Sequence, residues 1–291
     1  MSDAARKLRV LLATGRLCVV PCCFDALSAR LVEQAGFAVT FMSGFSVAAA
    51  RLGMPDTGLI SFGEVLDQGR SICQAVTIPV IGDGDTGYGN ALNVKRTVRE
   101  FARAGFAAVM IEDQRAPKRC GHTRGKSVVG RDEAILRIRA ACDARDDARA
   151  AGGDILVLAR TDAAAIHGLG EAIVRARAFT AEGADILFVE APGSEADMAT
   201  ICREAPGRHL ANVIDGGLSP VLPPARLAEL GFALAAYPLA LLSASIVAMR
   251  TALAGLECGK GLPAVPLGFD ELRRLLGFDA YDEDAARYAV R

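Results

Sequence analysis

The chain has 291 residues, of which 52% are hydrophobic and 23% charged, and its formal net charge is −1. This length suits one large α/β barrel or two ordinary domains, and there is no basic excess with which to bind nucleic acid. The eight cysteines contain no CxxC pair, which is typical of reduced, mostly buried thiols. No cleavable signal sequence follows the basic N-terminal residues, so we expect a cytoplasmic protein.

Short apolar runs alternate along the chain with longer amphipathic stretches, which is the pattern of repeated βα units and a parallel sheet. Helical spacing predicts helices over 93–104 and 170–182, and several helices end at a glycine just before the next strand. Eight strands in alternation with helices predict a (β/α)8 TIM-type barrel. The predicted strands are 18–24, 38–43, 79–83, 107–112, 155–161, 186–190, 210–214 and 233–237.

Two stretches need separate treatment. Residues 230–249 carry no charge and are about as long as a membrane span, but Pro238 interrupts them, so we expect a short buried strand followed by a buried helix. Residues 263–291 are acidic, aromatic and partly helical, and they lie outside the eight βα units. Because no Pro- or Ser-rich linker divides the chain, we predict one barrel domain over 1–291, with 263–291 as a C-terminal extension for subunit contacts.

Polar residues follow nearly every predicted strand. Active sites in this fold lie at the carboxyl ends of the strands, so this distribution indicates a candidate active site. The residues are Asp25, Ser43, Asp83 with Asp85, Glu112, Arg160 with Asp162, Glu190, Asn212 with Asp215, and Tyr237.

The turn after the third strand, Gly82-Asp83-Gly84-Asp85-Thr86-Gly87, matches the GxGxxG pattern of dinucleotide-binding folds. Two aspartates in the turn would repel a pyrophosphate, and two βα units precede a motif that normally opens the first. Asp83 and Asp85 are instead expected on one face, with Glu112 on the adjacent strand. Three carboxylates favour Mg²⁺, with Mn²⁺ as the alternative, although N-capping alone would explain Asp85.

The segment 114–130 is a long loop rich in Lys, Arg and Gly, and loops of this length are often lids. It contains Cys120, which has Lys118, Arg119, His122 and Arg124 as its charged neighbours in sequence. Such neighbours favour a thiolate over a thiol, so Cys120 is predicted to act as an acid or base rather than as a small buried hydrophobe.

Arg160 lies near the end of the fifth strand, where its guanidinium is expected to bind a carboxylate of a ligand through two parallel hydrogen bonds. The structural alternative is an ion pair between Arg160 and Glu190 or Asp215. Arg160 can form such an ion pair and also bind a ligand.

Several motifs occur along the chain in a fixed order. They are Ser43-Gly44-Phe45-Ser46, Pro55-Asp56, the 82–89 turn, Ile111-Glu112-Asp113-Gln114, Lys118-Arg119-Cys120-Gly121-His122, Ala159-Arg160-Thr161-Asp162 and Val189-Glu190-Ala191-Pro192. Together they make the chain resemble the isocitrate lyase/phosphoenolpyruvate mutase superfamily over roughly 21–256. Within that superfamily, Lys-Arg-Cys-Gly-His marks the carbon–carbon lyases, so Cys120 is the discriminating residue.

The resemblance implies a Mg²⁺-dependent barrel, usually a homotetramer that exchanges a helix after the last strand, acting on α-oxo or α-hydroxy carboxylates. The match is closer to the 2,3-dimethylmalate lyase and petal-death-protein type than to methylisocitrate lyase. Phe41, Phe45 and Asp215 stand where methylisocitrate lyase is expected to carry Tyr, Gly and Glu.

By this resemblance, the chain cleaves a 2-hydroxy dicarboxylate of the 2-alkylmalate or methylisocitrate type to an α-oxo acid, and Cys120 protonates the resulting enolate. Oxaloacetate decarboxylation and phosphorus–carbon bond chemistry remain alternatives, as does a non-catalytic metabolite-binding barrel. The implied metal ligands are Asp83, Asp85 and Glu112, the catalytic residues are Cys120, Arg160, His122 and Glu190, and the substrate-binding residues are Ser43, Gly44, Phe45, Asp56, Gly121, Asn212 and Asp215.

Overall fold

The computed structural model describes residues 3–123, 125–259 and 267–289. Eight parallel strands each pair with the next, and the last pairs with the first, so the sheet closes into a barrel. The predicted (β/α)8 fold is therefore confirmed. The strands are β1 (Cys18–Cys23), β2 (Thr40–Met42), β3 (Val80–Asp83), β4 (Ala108–Glu112), β5 (Leu156–Thr161), β6 (Ile186–Val189), β7 (His209–Asn212) and β8 (Phe232–Tyr237).

Helices follow the strands and cover the outside of the barrel. Each observed strand begins and ends within two residues of the predicted run, because the apolar runs include flanking residues that do not pair. The helices are α1 (Asp3–Ala13), α2 (Ala26–Gln34), α3 (Gly44–Leu52), α4 (Phe62–Ala75), α5 (Ala91–Ala104), α6 (Arg131–Ala150), α7 (Ala164–His167), α8 (Leu169–Ala181), α9 (Glu195–Glu204), α10 (Pro224–Leu230), α11 (Ala240–Glu257), α12 (Phe269–Leu276) and α13 (Phe278–Arg287).

Helix α5 illustrates how the local sequence fixes these elements. Asn90 accepts hydrogen bonds from the first-turn N–H groups, and the helix ends at Gly105, whose φ of +100° suits glycine. Val94, Val98 and Phe101 recur at helical spacing and are fully buried. The apolar stripe therefore holds α5 against the sheet.

The apolar core has two layers, one inside the barrel and one between the barrel and its helices. Alternate residues of each strand enter each layer, so Cys22 belongs to the inner layer and Cys23 to the outer one. Helix α1 packs its Leu8 into the inner layer. Its Arg9 pairs with Asp154 and Asp185 just ahead of β5 and β6, so α1 closes the amino-terminal end of the barrel.

The described chain divides into two compact units, 1–242 and 243–291. The second holds most of α11 together with α12 and α13, so the predicted extension is helical in part. Residues 260–266, 290 and 291 lie outside the described residues, and the assignment of one domain stays a prediction.

The uncharged stretch 230–249 contains strand β8 and the start of α11, as predicted. The expectation of a buried helix was wrong, because Leu242 is the one described residue of α11 that is buried. By length and composition this helix could also cross a membrane, and 6% of its 18 residues are buried.

Candidate active site

A cavity of about 60 Å³ lies at the carboxyl ends of the barrel strands. Ten of the fourteen predicted site residues line it, which agrees with the position of active sites in this fold. These residues are Ser43, Phe45, Asp56, Asp83, Cys120, Gly121, His122, Arg160, Glu190 and Asn212.

The turn after β3 folds across the end of β4. The Gly84 N–H donates to the Met110 carbonyl at 3.0 Å, and a Cβ at Gly84 would lie 2.6 Å from that oxygen, so the contact requires glycine. Asp85 adopts a left-handed conformation with φ of +49°, which aspartate tolerates better than most residues. Its carbonyl accepts the Glu112 N–H at 2.9 Å. The turn therefore brings Asp83 and Asp85 next to Glu112.

Burial in this acidic cluster raises the pKa values of Asp83 and Glu112. Burial and the neighbouring Asp85 raise the pKa of Asp83 to about 6. Burial also raises the pKa of Glu112 well above its usual value, although Arg160 opposes this effect. The cluster therefore favours either protons or an added cation.

Lys118 supplies one cation from the 114–130 loop, which is called the lid below. Its Nζ lies 2.5 Å from Asp56 Oδ1 and 2.7 Å from Asp85 Oδ1, and all three side chains are buried. Burial lowers the pKa of Lys118, but the surrounding carboxylates outweigh it and hold the value well above normal. Lys118 therefore stays charged and ties the lid to the acidic cluster.

Arg160 lies at the centre of the cavity wall. Its guanidinium meets Glu112 Oε2 at 3.3 Å, Glu190 Oε2 at 3.2 Å, and both oxygens of Asp162 at 2.9 and 3.1 Å. It also lies 5.3 Å from the centre of the Phe188 ring. The predicted pair with Glu190 is confirmed, whereas the described contacts of Arg160 do not include Asp215.

The lid places His122 between two strand ends. His122 Nε2 lies 3.1 Å from Glu190 Oε1, and its Nδ1 accepts the Leu218 N–H at 2.9 Å. An acceptor at Nδ1 puts the ring proton on Nε2, where it donates to Glu190. Burial pulls the pKa of Glu190 upward, yet Arg160 and His122 outweigh it and lower the pKa to about 2.

Cys120 is half-buried in the same cavity. Burial raises the pKa of its thiol, so the expectation that neighbouring cations would favour a thiolate was wrong. The physical reason is that Lys118 is engaged by carboxylates and Arg119 is exposed, while Arg124 lies outside the described residues. A protonated thiol is suited to donating a proton.

Four predicted residues do not line the cavity. The Gly44 N–H donates to Asp83 Oδ2 at 3.2 Å, and Asp85 and Glu112 contact the lining residues Lys118 and Arg160. Asp215 is exposed, and Ile214 lines the cavity instead.

Sequence reasoning missed several contributors. Cys22 lines the cavity, and Tyr88 donates its hydroxyl to Asp85 Oδ2 at 3.0 Å. Lys126, which the sequence did not single out, forms a buried pair beside the cavity with Asp162 at 2.9 Å. Strand alternation identifies Cys22, whereas the other contacts depend on how the loops fold.

The acidic cluster fits a divalent cation held partly through water. Within the described residues, no group of three or more His, Cys, Asp or Glu side chains is close enough to hold a metal by itself. Glu112 Oε1, however, is buried and accepts no hydrogen bond from the described chain. Mg²⁺ commonly binds one or two carboxylates and keeps several waters, so Asp83, Asp85 and Glu112 suit it. A related phosphonopyruvate hydrolase, 29% identical with a TM-score of 0.85, was solved with oxalate and Mg²⁺ and is matched over 98% of this chain and 99% of that one.

Comparison with known proteins agrees with the fold. The phosphoenolpyruvate phosphomutase family model matches residues 8–257. The chain is 38% identical to the 2,3-dimethylmalate lyase of Eubacterium barkeri, over 99% of both chains. Its fold matches a solved oxaloacetate acetylhydrolase, in complex with 3,3-difluorooxalacetate, with a TM-score of 0.93 and 35% identity over 99% of this chain and 98% of that one. It matches a 2,3-dimethylmalate lyase structure with a TM-score of 0.92 and 35% identity over 99% and 96%. The chain therefore belongs to the phosphoenolpyruvate mutase/isocitrate lyase superfamily, as its motifs had suggested.

Proposed function

We propose that the chain is a Mg²⁺-dependent carbon–carbon lyase that cleaves a 2-hydroxy dicarboxylate into an α-oxo acid and a second carboxylic acid. The observation that carries the proposal is the half-buried thiol of Cys120, in one cavity with Arg160 and beside the acidic cluster. A proton donor in the same cavity as an arginine that would bind a substrate carboxylate suits cleavage to a carbanion. The 38% identity to a 2,3-dimethylmalate lyase supports the same reaction class.

Two ends of the cavity would bind the two carboxylates of the substrate. Ser43 caps helix α3, and the first-turn N–H groups of a helix attract anions, so Ser43, Gly44 and Phe45 would hold one carboxylate. Arg160 and Asn212 would orient the other.

Asp83, Asp85 and Glu112 would hold Mg²⁺. When bound, this ion stabilises negative charge that develops on substrate oxygens.

The reaction breaks the bond between C2 and C3. The C2 hydroxyl proton passes to Asp56, a cavity-lining carboxylate that is not one of the proposed Mg²⁺ ligands. C2 becomes the carbonyl of the α-oxo acid, and the bonding electrons move onto C3 and its carboxylate. The Cys120 thiol then donates its proton to C3, which completes the second acid. His122 and Glu190 hold the lid tip in place, and the lid excludes water that would otherwise protonate C3.

The size of the cavity favours a small dicarboxylate over a tricarboxylate of the methylisocitrate type. A cavity of about 60 Å³ holds roughly four to six water molecules, at about 10–15 Å³ for each. Aromatic and aliphatic side chains line it beside the polar groups, which suits a short alkyl substituent. These side chains are Phe41, Phe45, Phe188, Leu210 and Ile214.

The direct test is a substrate panel with and without Mg²⁺. Alkylmalates, isocitrates and oxaloacetate are incubated with the protein, and released carbonyl products are trapped and identified. We expect Mg²⁺-dependent release of an α-oxo acid from a 2-alkylmalate. Absence of carbonyl product from every hydroxy acid in the panel would refute the proposal. Absence of product from oxaloacetate as well would favour a non-catalytic metabolite-binding barrel.

The Cys120→Ala variant distinguishes the lyase reaction from the alternative reactions that would use the same metal site. Oxaloacetate decarboxylation and phosphorus–carbon bond chemistry need no proton from Cys120. Full turnover of the panel by this variant would therefore favour one of those reactions over the lyase.

We also propose a homotetramer in which α11 is exchanged between neighbouring subunits. Support comes from its apolar side chains, because Val247, Leu253 and Leu256 are each at least 60% exposed in the single chain. Sedimentation should give a mass about four times the 30.4 kDa of one chain. A 30.4 kDa species at all concentrations would contradict the exchange.

A further inference from the structure

A buried ion pair joins the lid to the barrel without lining the cavity. Lys126 Nζ lies 2.9 Å from Asp162 Oδ1, and the two side chains are 3% and 0% exposed. Removing two charges from water costs much of what their attraction returns, so such a pair is weak evidence for stability alone. Its contacts point to a role in positioning.

On the barrel side, Asp162 holds Arg160. Its two oxygens accept from Arg160 Nε at 2.9 Å and Nη2 at 3.1 Å, which fixes the plane of the guanidinium. Asp162 is itself anchored, because its N–H donates to Asp113 Oδ1 at 2.9 Å. Asp113 in turn is held by Arg175 and Thr161, at 2.9 and 2.6 Å. The position of the Asp162 carboxylate is therefore fixed relative to the barrel.

On the lid side, Lys126 holds the segment that carries Cys120. Its Nζ donates to the Gly121 carbonyl at 2.5 Å. Gly121 lies so close to Arg160 that an added Cβ would be 2.5 Å from Nη2. The Cys120 carbonyl accepts from the Thr123 hydroxyl at 2.7 Å, which closes the same turn. One ammonium group thus contacts both the tip of the lid and the residue that orients Arg160.

We propose that Lys126 and Asp162 are positioning residues that place the thiol of Cys120 and the guanidinium of Arg160 in one fixed relation. The effect on catalysis rests on the proposed lyase function, whereas the effect on the position of the lid does not. Neither side chain lines the cavity, so both act through the residues that they hold.

The test removes the ammonium group with Lys126→Met and uses Lys95→Met as the matched control. Lys95 also pairs with an aspartate, Asp147, at 3.4 Å, but from helix α5 outside the barrel. Asp162 keeps Arg160 as a partner in the variant, so the fold should survive. Lys126→Arg retains the charge and should restore part of the function.

The first readout needs no substrate. The rate of alkylation of Cys120 by iodoacetamide is measured by peptide mapping, which separates it from the exposed Cys258. We expect alkylation of Cys120 to be roughly tenfold faster or more in Lys126→Met, as expected for loss of one charge-assisted hydrogen bond, and unchanged in Lys95→Met. An unchanged alkylation rate in Lys126→Met would overturn the proposal, whether or not lyase activity is found.

The second readout is turnover of the substrate identified by the panel. We expect kcat to fall about ten- to a hundredfold in Lys126→Met while KM changes little. The double variant with Asp162→Asn should lose less activity than the product of the two single losses, because one shared pair is removed in each case. A fall in activity that only follows a lowered Tm would show a structural role and overturn the proposal. If the wild-type chain cleaves nothing, the proposed function fails, and the alkylation assay still decides the position of the lid.

Discussion

Replacement of Asp83 by Asn should stabilise the metal-free protein while abolishing its response to Mg²⁺. The pKa of Asp83 is raised from 3.8 to about 6, so the folded state binds this proton more tightly than the unfolded chain does. The stability that protonation supplies is fully present below about 3.8 and is lost as pH rises through about 6. At neutral pH the ionised carboxylate therefore costs the fold roughly 3 kcal/mol.

The Asp83→Asn substitution recovers only part of this free energy, because the amide loses a hydrogen bond. Asp83 accepts N–H groups from Gly44 at 3.2 Å and from Asp85 at 3.0 Å, and an amide can accept only through its one oxygen. Loss of one such bond costs about 1 kcal/mol, which leaves a net gain of roughly 2 kcal/mol. For a chain of this length the gain corresponds to a rise in Tm of about 4 °C.

Thermal unfolding followed by circular dichroism, in chelator and in Mg²⁺ across a pH series, measures these effects. Wild-type protein should gain stability as pH falls from 7 towards 5, and should gain it at neutral pH when Mg²⁺ is added. Asp83→Asn should gain less stability as pH falls, because Glu112 still titrates but Asp83 does not, and it should gain none from Mg²⁺. Asp67→Asn, at an exposed site on α4, should behave as wild type. A lower Tm for metal-free Asp83→Asn, or an undiminished Mg²⁺ response, would refute the reasoning.

Three further substitutions test the lid and the cluster. Gly121→Ala should lower kcat with little change in Tm, because the added methyl group would collide with Glu190 and Arg160 when the lid is seated; normal turnover would contradict this. Tyr88→Phe removes a 3.0 Å hydrogen bond to Asp85, so the Mg²⁺ needed for half-maximal stabilisation should rise several-fold, and an unchanged value would exclude this role. Glu190→Gln should lower the free energy of unfolding by roughly 3 kcal/mol at neutral pH, because the pKa of Glu190 is lowered from 4.5 to about 2. This contribution to stability is present above about pH 4.5 and is lost as pH falls through 2. Equal urea midpoints for the variant and the wild type would contradict it.

The barrel and most of the site could be predicted from the sequence because both depend on simple periodicity. Apolar runs at regular intervals define eight strands, and their carboxyl ends meet at one face. Residues two apart on a strand share a face, which is why Phe188 and Glu190 both line the cavity.

The same alternation bears on the position of Asp215. Leu210, Asn212 and Ile214 all line the cavity, so period-2 counting places Asp215 on the opposite side. The resemblance to relatives had assigned Asp215 to substrate binding, but here the residue is exposed.

The lid contacts could not be predicted from the sequence. Lys118 lies two residues from Cys120, which suggested that its charge would act on the thiol, yet its ammonium group pairs with Asp56 and Asp85. These partners are distant in sequence and meet only because the loop folds back over the barrel. Burial then outweighs the nearby charge and raises the pKa of Cys120.

The central claim is that Cys120 donates the proton to the carbanion formed by carbon–carbon cleavage. The most direct test is to run the reaction of a 3-alkyl-substituted malate in D₂O, for wild type and Cys120→Ala. NMR then determines the configuration of deuterium at C2 of the released acid, which was C3 of the substrate. We predict one configuration in the wild-type product, and in the variant a large loss of turnover with residual product labelled in both configurations. Retention of rate and of a single configuration in Cys120→Ala would contradict the assignment.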